Sequence, residues 1–459
     1  MKDGIKEDCG IFGIYNPDPK SSVSADVYTA LYSLQHRGQE SAGITVNNDG
    51  EMYSHRDVGL VSDVFNDMII NMLNGNFACG HVRCAAEGEA SRDMAQPFVV
   101  KHTKGRIAVA MNGCLTNQEE LINELSESGA VFQTNADTEI IAHIVSRERI
   151  KNESTERALI NSIDKLKGAY SMVFLTVNKL IAVRDPYGMR PLCMGKLGNS
   201  IMFASESCAI DAVGGTFVRD IKPGEVVVVK NGGSVESFTE KCNDKGSFCI
   251  FEHIYFARPD SILDGQSVHQ ARRNAGRELA KARPVEADIV IGVPDSGTDA
   301  AIGYAEESGI KYSIGIIKNR YIGRTFLQKS QINRERSVKL KLNALASEVK
   351  GKRVIMVDDT IVRGTSSANL PKLLRDAGAR EVHLRISSPP FLFPCSFGTD
   401  ISSKNDLIAN RLTKDEIREQ IGADSLEYMP IEALERICPD SNIGFCKACF
   451  TGEFPKGVL

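Results

Sequence analysis

Hydrophobic patterning divides the chain into two parts near residue 245. In the first part, apolar and polar residues alternate with a period of two, which predicts half-buried strands. The segments concerned are 106–111, 171–177, 201–205 and 225–230. Helical spacing lies among them at 24–34, 118–125 and 138–147. Strands interleaved with helices predict a layered α/β or α+β architecture whose sheets are covered by helices.

After residue 250 the predicted strands and helices alternate regularly. The predicted helices are 269–282, 298–307 and 367–377, and the predicted strands are 288–293, 312–317, 354–357 and 381–387. Alternation of this kind is typical of βαβ units, so we predict a mostly parallel sheet. Loop-forming residues at 231–233 and 243–246 favour a domain boundary between the two parts.

Size and charge limit the classes of function. The 459 residues are enough for two large domains or three ordinary ones. A formal net charge of −4 gives no electrostatic reason to expect binding to nucleic acid or to an anionic membrane. No apolar run approaches the ~20 residues that span a bilayer, and residues 1–8 lack the apolar core of a signal peptide. We therefore expect a cytoplasmic protein.

Two carboxylates follow one of the predicted strands. Residues 354–357 predict a strand buried on both faces, and Asp358 and Asp359 come directly after it. In open α/β sheets, ligands bind at the carboxyl ends of strands, beside helix N-termini whose N–H groups attract phosphate. The backbone of 360–365 therefore suits a monophosphate, and the two carboxylates suit sugar hydroxyls or the shell of a Mg²⁺ ion. Taken alone, a Val-Asp-Asp run is equally typical of an acidic pair that only caps a strand.

The complete run from 354 to 366 resembles the phosphoribosylpyrophosphate (PRPP) signature of type I phosphoribosyltransferases. The resemblance implies a C-terminal α/β domain with a mostly parallel sheet over residues 246–459. It also implies one Mg²⁺ per subunit at Ser296, Asp358 and Asp359. The residues implied in PRPP binding are Asp358, Asp359, Thr360, Val362, Arg363, Gly364, Thr365, Ser366, Arg324, Lys339 and Lys341.

The last three of these residues lie in a long basic segment, 324–343, that also fits a solvated surface loop. In the phosphoribosyltransferase family the equivalent loop orders over PRPP and shields it from water, which suits a reactive glycosyl centre. Lys329 stands where relatives often have proline. We expect this loop to be more flexible here.

The first part of the chain carries five short motifs in order. They are Cys9-Gly10-Ile11-Phe12-Gly13-Ile14, the run from His36 to Gly43, Gly80-His81-Val82-Arg83, Asn112-Gly113 and Asp137-Thr138-Glu139. The first motif alone favours an ordinary cysteine at the edge of a strand. Together the five resemble the class II glutamine amidotransferase domain. The resemblance implies a four-layer αββα N-terminal-nucleophile fold over residues 9–245.

The resemblance also implies that Cys9 is a nucleophile with its own α-amino group as the base. Such an amine titrates near ~7.7 and can take the thiol proton. It exists only if residues 1–8 are removed as a propeptide. We therefore expect autocatalytic cleavage between Asp8 and Cys9.

Four further residues are implied in the handling of glutamine. Asn112 and Gly113 would hold the tetrahedral oxyanion, Arg83 the substrate carboxylate and Asp137 the substrate ammonium. The alternatives are a surface salt bridge for Arg83 and a helix N-cap for Asp137. After Arg83, relatives usually have a tyrosine, a small residue and a threonine, whereas this chain has Cys84-Ala85-Ala86. We expect closure of the loop over glutamine to differ accordingly.

Twelve cysteines are many for a cytoplasmic chain, in which disulfides are rare. We interpret them as buried side chains, a nucleophile or metal ligands. A lone C-x₂-C pair such as Cys446 and Cys449 also fits a redox pair, half of a zinc site or two unrelated thiols. With Cys249 and Cys395 it would make four thiolates, which suit Zn²⁺ or an iron–sulfur cluster equally well.

The residues that flank these cysteines resemble the cluster-containing branch of the glutamine PRPP amidotransferase family. The flanking segments are 251–261, 387–390 and 449–452. That branch carries both a propeptide and one [4Fe–4S] cluster per subunit. The implied cluster ligands are Cys249, Cys395, Cys446 and Cys449, which would clip the C-terminal segment to both domains. The remaining cysteines match no ligand position and are expected to be structural or incidental: Cys79, Cys84, Cys114, Cys193, Cys208, Cys242 and Cys438.

The resemblance as a whole implies the committed step of purine synthesis. Glutamine is hydrolysed at Cys9, and ammonia passes internally to Mg–PRPP, giving 5-phosphoribosylamine, glutamate and pyrophosphate. Family members are homo-oligomers, usually tetramers, and purine nucleotides inhibit them. Two alternatives are another class II amidotransferase and a PRPP-sensing regulatory protein with the same fold. The 354–366 run argues against the first, and the presence of Cys9 and Asn112 against the second.

Overall fold

The computed structural model describes residues 9–84, 91–243, 245–319, 321, 341–364, 369–398 and 403–455. Several predicted features therefore lie outside the described residues. They are the propeptide at 1–8, Ala85, Ala86, Lys329 and the predicted PRPP contacts Arg324, Lys339, Thr365 and Ser366.

The described strands of the first part form two antiparallel sheets. Their strands, in chain order, are β1 Gly10–Tyr15, β2 Ser41–Asn48, β3 Glu51–Val58, β4 Phe77–Arg83, β5 Phe98–His102, β6 Gly105–Leu115, β7 Gly168–Thr176, β8 Lys179–Arg184, β9 Cys193–Leu197, β10 Ser200–Ala204, β11 Thr216–Asp220, β12 Val226–Lys230 and β13 Val235–Phe238. One sheet has the spatial order β11-β9-β10-β1-β4-β2-β3 and the other β13-β12-β8-β7-β6-β5. All four segments with period-two alternation fall in these strands to within one residue.

The two sheets pack face to face, and helices cover both outer faces. The core between the sheets includes Ile11, Phe77 and Phe203 from one sheet and Ala108 and Val173 from the other. Helices Ser24–Ser33, Val61–Val64, Asp67–Met72 and Ser207–Ala212 cover the seven-stranded sheet. Helices Gln118–Glu127, Asp137–Lys151 and Thr155–Ile163 cover the six-stranded sheet. The layers are helix, sheet, sheet and helix, so the αββα prediction is confirmed.

A four-stranded parallel sheet is the centre of the second part. Its strands are β17 Ile289–Gly292, β20 Arg353–Asp358, β21 Glu381–Ile386 and β22 Ser425–Tyr428, in the order β17-β20-β21-β22. Apolar residues pack against both faces, which explains why residues 354–357 are uniformly apolar. The helices of this part are Val268–Ala282, Thr298–Ser308, Ala346–Val349, Asn369–Asp376, Ile408–Arg411, Lys414–Ile421 and Ala448–Thr451. A mostly parallel α/β domain is thus confirmed.

Short elements complete the described chain. Three small sheets pair β14 Phe248–Cys249 with β23 Phe445–Cys446, β15 Ile262–Leu263 with β16 Gln266–Ser267, and β18 Ile316–Lys318 with β19 Leu342–Ala344. Single helical turns occur at Arg92–Met94, Glu252–Phe256, Lys404–Asp406 and Ile431–Ala433, of which Glu252–Phe256 is π-helical. Within the described ranges, no helix combines the length and the apolar character needed to cross a bilayer.

The predicted strand at 312–317 is only partly right. Tyr312 makes a single parallel bridge to Val290, and the regular strand begins at Ile316, where it pairs antiparallel with β19. The segment runs along the outer edge of the sheet, where Ile314 and Ile317 are exposed. An apolar pattern predicts a strand but not its partner, and this segment leaves the parallel ladder after one residue.

Candidate active sites and a four-cysteine cavity

Cys9 lies in a cleft with three other predicted glutamine contacts. The cleft is lined by Cys9, Arg83, Gly113 and Asp137, together with Cys84, Met94, Gln96 and Gln118 among others. Cys9 precedes β1 and Arg83 ends β4, and these strands are antiparallel neighbours with Gly10 opposite Val82. Cys9 and Arg83 are 74 positions apart in sequence. The register of this strand pair places both residues at the same end of the seven-stranded sheet.

The sulfur and carbonyl of Cys9 are held by specific partners. The Cys84 N–H donates to Cys9 Sγ at 3.5 Å, and the Cys9 thiol donates to the Cys84 carbonyl oxygen at 3.6 Å. Arg37 Nε donates to the Cys9 carbonyl oxygen at 3.0 Å. Hydrogen bonds thus hold both the side chain and the backbone carbonyl of the predicted nucleophile.

Asn112 is fully buried beside the cleft, at the end of β6. Neither its Oδ1 nor its Nδ2 finds a partner among the described residues. Buried side-chain amides are normally paired, so an orphaned N–H donor of this kind is available to a ligand. Gly113 follows with a φ of +121°, and a Cβ there would lie 1.9 Å from the Ala169 carbonyl oxygen. Only glycine fits at this position.

The described contacts of Arg83 and Asp137 differ from the structural alternatives. Arg83 donates to the Met94 carbonyl and forms no described salt bridge. Asp137 is the first residue of its helix, Ala136 is the N-cap, and Asp137 Oδ2 accepts from the Leu115 N–H at 3.1 Å. Burial raises the pKa of Asp137 to about 6, against the opposing effects of the Leu115 N–H and the charge of Arg83. Its Oδ1 has no partner within the described chain, so one carboxylate oxygen is available to a cation.

A buried ion-pair network behind Cys9 was not predicted. Arg37 donates to Glu206 Oε1 at 2.6 Å and to both carboxylate oxygens of Glu252, at 2.8 and 3.0 Å. The Glu252 carboxylate also lies 3.6 Å from the Arg190 guanidinium. All four side chains are almost completely buried. Glu206 belongs to the first part of the chain and Glu252 to the second, so this network joins the two parts.

Asp358 and Asp359 lie at the carboxyl end of β20, as predicted. Both are buried, and the Asp359 N–H donates to Asp358 Oδ1 at 3.0 Å. Ser296 Oγ donates to Asp359 Oδ1 at 2.5 Å, so the predicted metal ligands Ser296 and Asp359 are in direct contact. Burial, and for Asp358 the charge of its neighbour, raises the pKa of both carboxyls. Two neighbouring buried carboxyl groups favour the binding of a cation.

The turn after the acidic pair has the geometry of a tight loop. Thr360 Oγ1 is buried without a partner among the described residues. Val362 accepts a hydrogen bond from the Ile408 N–H at 2.8 Å, and Gly364 has a φ of +81°. Arg363 lies in the same turn. Lys341 lies apart, next to β19, where its carbonyl accepts from the Asn319 N–H at 2.7 Å.

The four predicted cluster cysteines line one cavity. Cys249, Cys395, Cys446 and Cys449 share it with Ala169, Met189, Arg190, Phe251, Phe391, Phe397 and Ala448. Cys249 and Cys446 are register partners in the β14–β23 pair, and the Cys449 carbonyl accepts from the N–H groups of Leu392 and Phe393 at 3.0 and 3.1 Å. No disulfide joins any of the twelve cysteines, all of which are described. In the described parts of the chain, no three His, Cys, Asp or Glu side chains form a site for one metal ion.

Comparison with known proteins decides the family. A family model described as "Glutamine amidotransferase domain" matches residues 81–212. The amidophosphoribosyltransferase of Archaeoglobus fulgidus is 47% identical over 452 residues, which cover 98% of each chain. The chain belongs to the amidophosphoribosyltransferase family.

Solved structures agree with this assignment to the amidophosphoribosyltransferases. The glutamine PRPP amidotransferase of Bacillus subtilis, complexed with ADP and GMP, superposes with a TM-score of 0.91 at 44% identity and covers 98% of each chain. A structure described as the allosteric regulatory enzyme of purine biosynthesis has the same TM-score and identity and covers 98% of this chain and 97% of its own.

Sequence reasoning missed the partners that support the predicted residues in this chain. Arg37 lies within one of the five motifs, but nothing local to it indicates a carboxylate 215 positions away. Arg272 was also missed; it is buried and donates to the backbone carbonyls of His253, Tyr255 and Ala257. An arginine on the apolar face of a predicted helix was the one available signal for it.

Proposed function

We propose that the chain makes 5-phosphoribosylamine from glutamine and PRPP by two reactions at two sites. At the first site Cys9 attacks the side-chain amide of glutamine, and water releases glutamate, so one glutamine and one water give glutamate and ammonia. At the second site ammonia bonds to C1 of PRPP and pyrophosphate leaves with its electron pair. This is the first committed step of purine biosynthesis.

The observation that carries the proposal is the presence of both sites in one chain. The cleft at Cys9 offers a thiol, an arginine and a buried carboxylate, and the unpaired amide of Asn112 directly precedes Gly113, which lines the cleft. These are the groups that an amino acid with an amide side chain needs for attack, oxyanion binding and recognition of both its charges. Asp358, Asp359 and Ser296 meet at the carboxyl end of a parallel strand, where sugar phosphates bind.

The Cys9 chemistry requires a free α-amino group, so we propose that residues 1–8 are a propeptide. The amine would accept the thiol proton as sulfur attacks and return it to the departing ammonia. The expected mature mass corresponds to a chain that begins at Cys9. A mature, active protein that still contains residues 1–8 would contradict this part of the proposal.

We propose Mg²⁺ at Ser296, Asp358 and Asp359, one ion per subunit. A hydroxyl and two carboxylates are the oxygen ligands that Mg²⁺ prefers, and the ion bridges naturally to phosphate oxygens. When bound, Mg²⁺ would neutralise charge on the departing pyrophosphate. Thr360, Val362, Arg363 and Gly364 would hold the 5-phosphate beside it, together with Thr365 and Ser366. The basic segment with Arg324, Lys339 and Lys341 would complete the PRPP site.

The cavity of Cys249, Cys395, Cys446 and Cys449 suits one [4Fe–4S] cluster per subunit. A single zinc ion requires all four sulfurs at ~2.3 Å from one point, which brings them very close together. The four thiols line one cavity and suit either metal as ligands, and the flanking residues, which resemble the cluster-containing branch of the family, favour the cluster. Its role would be to fasten the C-terminal segment. Anaerobic preparations are expected to contain about four irons and four sulfides per chain.

Three further properties belong to the same proposal. The chain divides into an amidotransferase domain over 9–245 and a phosphoribosyltransferase domain over 246–459. Purine nucleotides inhibit it, in line with the ADP and GMP in the Bacillus subtilis structure. It forms a homo-oligomer, a tetramer, in the cytoplasm.

The decisive experiment follows pyrophosphate release from PRPP and Mg²⁺ with either glutamine or ammonia, under anaerobic conditions. The Cys9→Ala chain is expressed from residue 9, so that processing is not required. Release with glutamine is expected to disappear in Cys9→Ala, and release with ammonia is expected to remain. If neither nitrogen source gives release while PRPP still binds, the chain is a PRPP-sensing protein with the same fold.

A further inference from the structure

The glutamine cleft and the four-cysteine cavity share a wall. Ala169 lines the cysteine cavity and is the register partner of Cys114 in the β6–β7 pair. Gly113, the predicted oxyanion residue, packs so closely against Ala169 that a Cβ on it would meet the Ala169 carbonyl. The backbone that would hold the oxyanion therefore lies one strand away from the cavity that would hold the cluster.

A short segment from the second part of the chain joins the same two spaces. Cys395 lines the cysteine cavity, and Gly398 lines the glutamine cleft. Between them, the Ser396 carbonyl accepts a hydrogen bond from Cys114 Sγ at 3.3 Å. Phe397 is 2% exposed, faces the cavity and accepts a hydrogen bond from Arg190 through its carbonyl.

We infer that residues 395–398 are a positioning segment of the glutamine site, which is incomplete without the second part of the chain. One end of the segment is fixed at the cysteine cavity and the other forms part of the wall around glutamine. Metal ligation at Cys395 would therefore set the position of Gly398. The inference rests on the proposed function and adds to it a specific dependence of glutamine binding on the cluster.

The effect falls on the use of glutamine rather than on the PRPP site. The segment touches the cleft of Cys9 and Asp137, whereas the acidic pair at Asp358 and Asp359 lies at the end of β20 and contacts Ser296. A displaced wall weakens the binding of glutamine, which needs the whole cleft. Ammonia that is supplied from solution does not have to bind in the cleft, so a displaced wall leaves ammonia-dependent activity unchanged.

The first test removes the hydrogen bond from Cys114, which itself lines the glutamine cleft, to Ser396 and leaves the cluster ligands unchanged. Cys114→Ala loses the sulfur donor and is expected to raise the KM for glutamine about fivefold, with little change in kcat, because the hydrogen bond that holds the 395–398 segment is lost. Cys114→Ser keeps a donor and restores the wild-type KM. Cys242→Ala, at a half-buried cysteine that lines neither space, is the matched control and keeps the wild-type value.

The second test removes the cluster and measures the cleft without turnover. Iron is removed from the wild-type protein by treatment with a chelator and an oxidant in the absence of oxygen. Alkylation of the Cys9 peptide is then followed by mass spectrometry with a glutamine-like diazoketone and with iodoacetamide. Loss of iron is expected to slow alkylation of Cys9 by the diazoketone at least tenfold and to leave the rate of alkylation by iodoacetamide unchanged. Only the diazoketone has to bind in the glutamine cleft before it reacts.

The outcomes separate this inference from the proposed function. A wild-type KM in Cys114→Ala, with unchanged diazoketone labelling after iron loss, overturns the inference. If iron loss unfolds the chain, as loss of Mg–PRPP binding would show, the Cys114 variants alone decide. Wild-type protein without glutamine-dependent product overturns the proposed function instead. If protein prepared anaerobically contains no iron, the proposed cluster is wrong, and so is the inference that metal ligation at Cys395 positions Gly398.

Discussion

Arg37 and Glu252 form a buried pair in which two guanidinium nitrogens each donate to a different carboxylate oxygen, at 2.8 and 3.0 Å. A third nitrogen of the same guanidinium, Arg37 Nε, donates to the Cys9 carbonyl. Planar, two-bond pairing of this kind fixes orientation as well as distance. The position of the predicted nucleophile therefore depends on a residue of the second half of the chain.

We expect Glu252→Gln to destabilise the protein and to slow glutamine hydrolysis. The change leaves the buried Arg37 with one charge partner fewer and lowers the free energy of unfolding by about 2 kcal/mol. The measurement is the urea midpoint at pH 7, read together with glutamine-dependent turnover. Glu240→Gln breaks the exposed pair with Arg157 and is the matched control, with no expected change in midpoint. Equal midpoints for the two variants would contradict a structural role for the Arg37–Glu252 pair.

Glutamine binding is expected to weaken below pH 6. Asp137, whose pKa burial raises to about 6, must be ionised to hold the substrate ammonium, and a carboxyl with a raised pKa takes up its proton as the pH falls through that value. The Kd of glutamine for the Cys9→Ala chain should be constant above about pH 7 and rise toward tenfold per unit below pH 6. Calorimetry between pH 5 and 8 measures it. In Asp137→Asn the Kd should be raised throughout and have lost its pH dependence.

Asn112→Ala is expected to reduce turnover without reducing stability. Both polar atoms of the Asn112 side chain are buried and unpaired in the described chain, so their removal relieves a desolvation penalty. Loss of the oxyanion donor is expected to lower kcat with glutamine about 100-fold. Asn47→Ala is the control, because Asn47 is equally buried but donates to the Thr176 and Val177 carbonyls. Thermal midpoints should fall in the control alone, and a fall in Asn112→Ala would indicate a structural asparagine instead.

Asp359→Asn is expected to stabilise the ligand-free protein and to abolish its response to Mg–PRPP. The raised pKa values of Asp358 and Asp359 reflect an unfavourable buried pair, and the substitution removes one of its charges. Ligand binding stabilises the wild type by mass action, but the variant lacks a metal ligand. Thermal midpoints with and without Mg–PRPP measure both effects. Asp288→Asn, at an exposed pair with Arg353, should respond to Mg–PRPP like the wild type.

Much of this architecture was available from the sequence, because the signals are local. Period-two alternation located strands such as β6 and β12, since each alternate side chain must face a core. The uniformly apolar run before Asp358 identified a strand covered on both faces, and the carboxyl end of such a strand is where ligands bind. The five motifs around Cys9 and the full 354–366 run are specific enough to indicate the family without the tertiary structure.

Tertiary structure alone decided which distant residues meet. The pairing of Arg37 with Glu252, the isolation of the Asn112 amide and the common wall of the two cavities all depend on how sheets and loops pack across long sequence separations. The partner of a buried charge is not encoded in the residues around it, and neither is the partner of an edge segment such as 312–317. Local hydrophobic periodicity fixes which face of an element is buried, but packing between elements fixes what that face contacts.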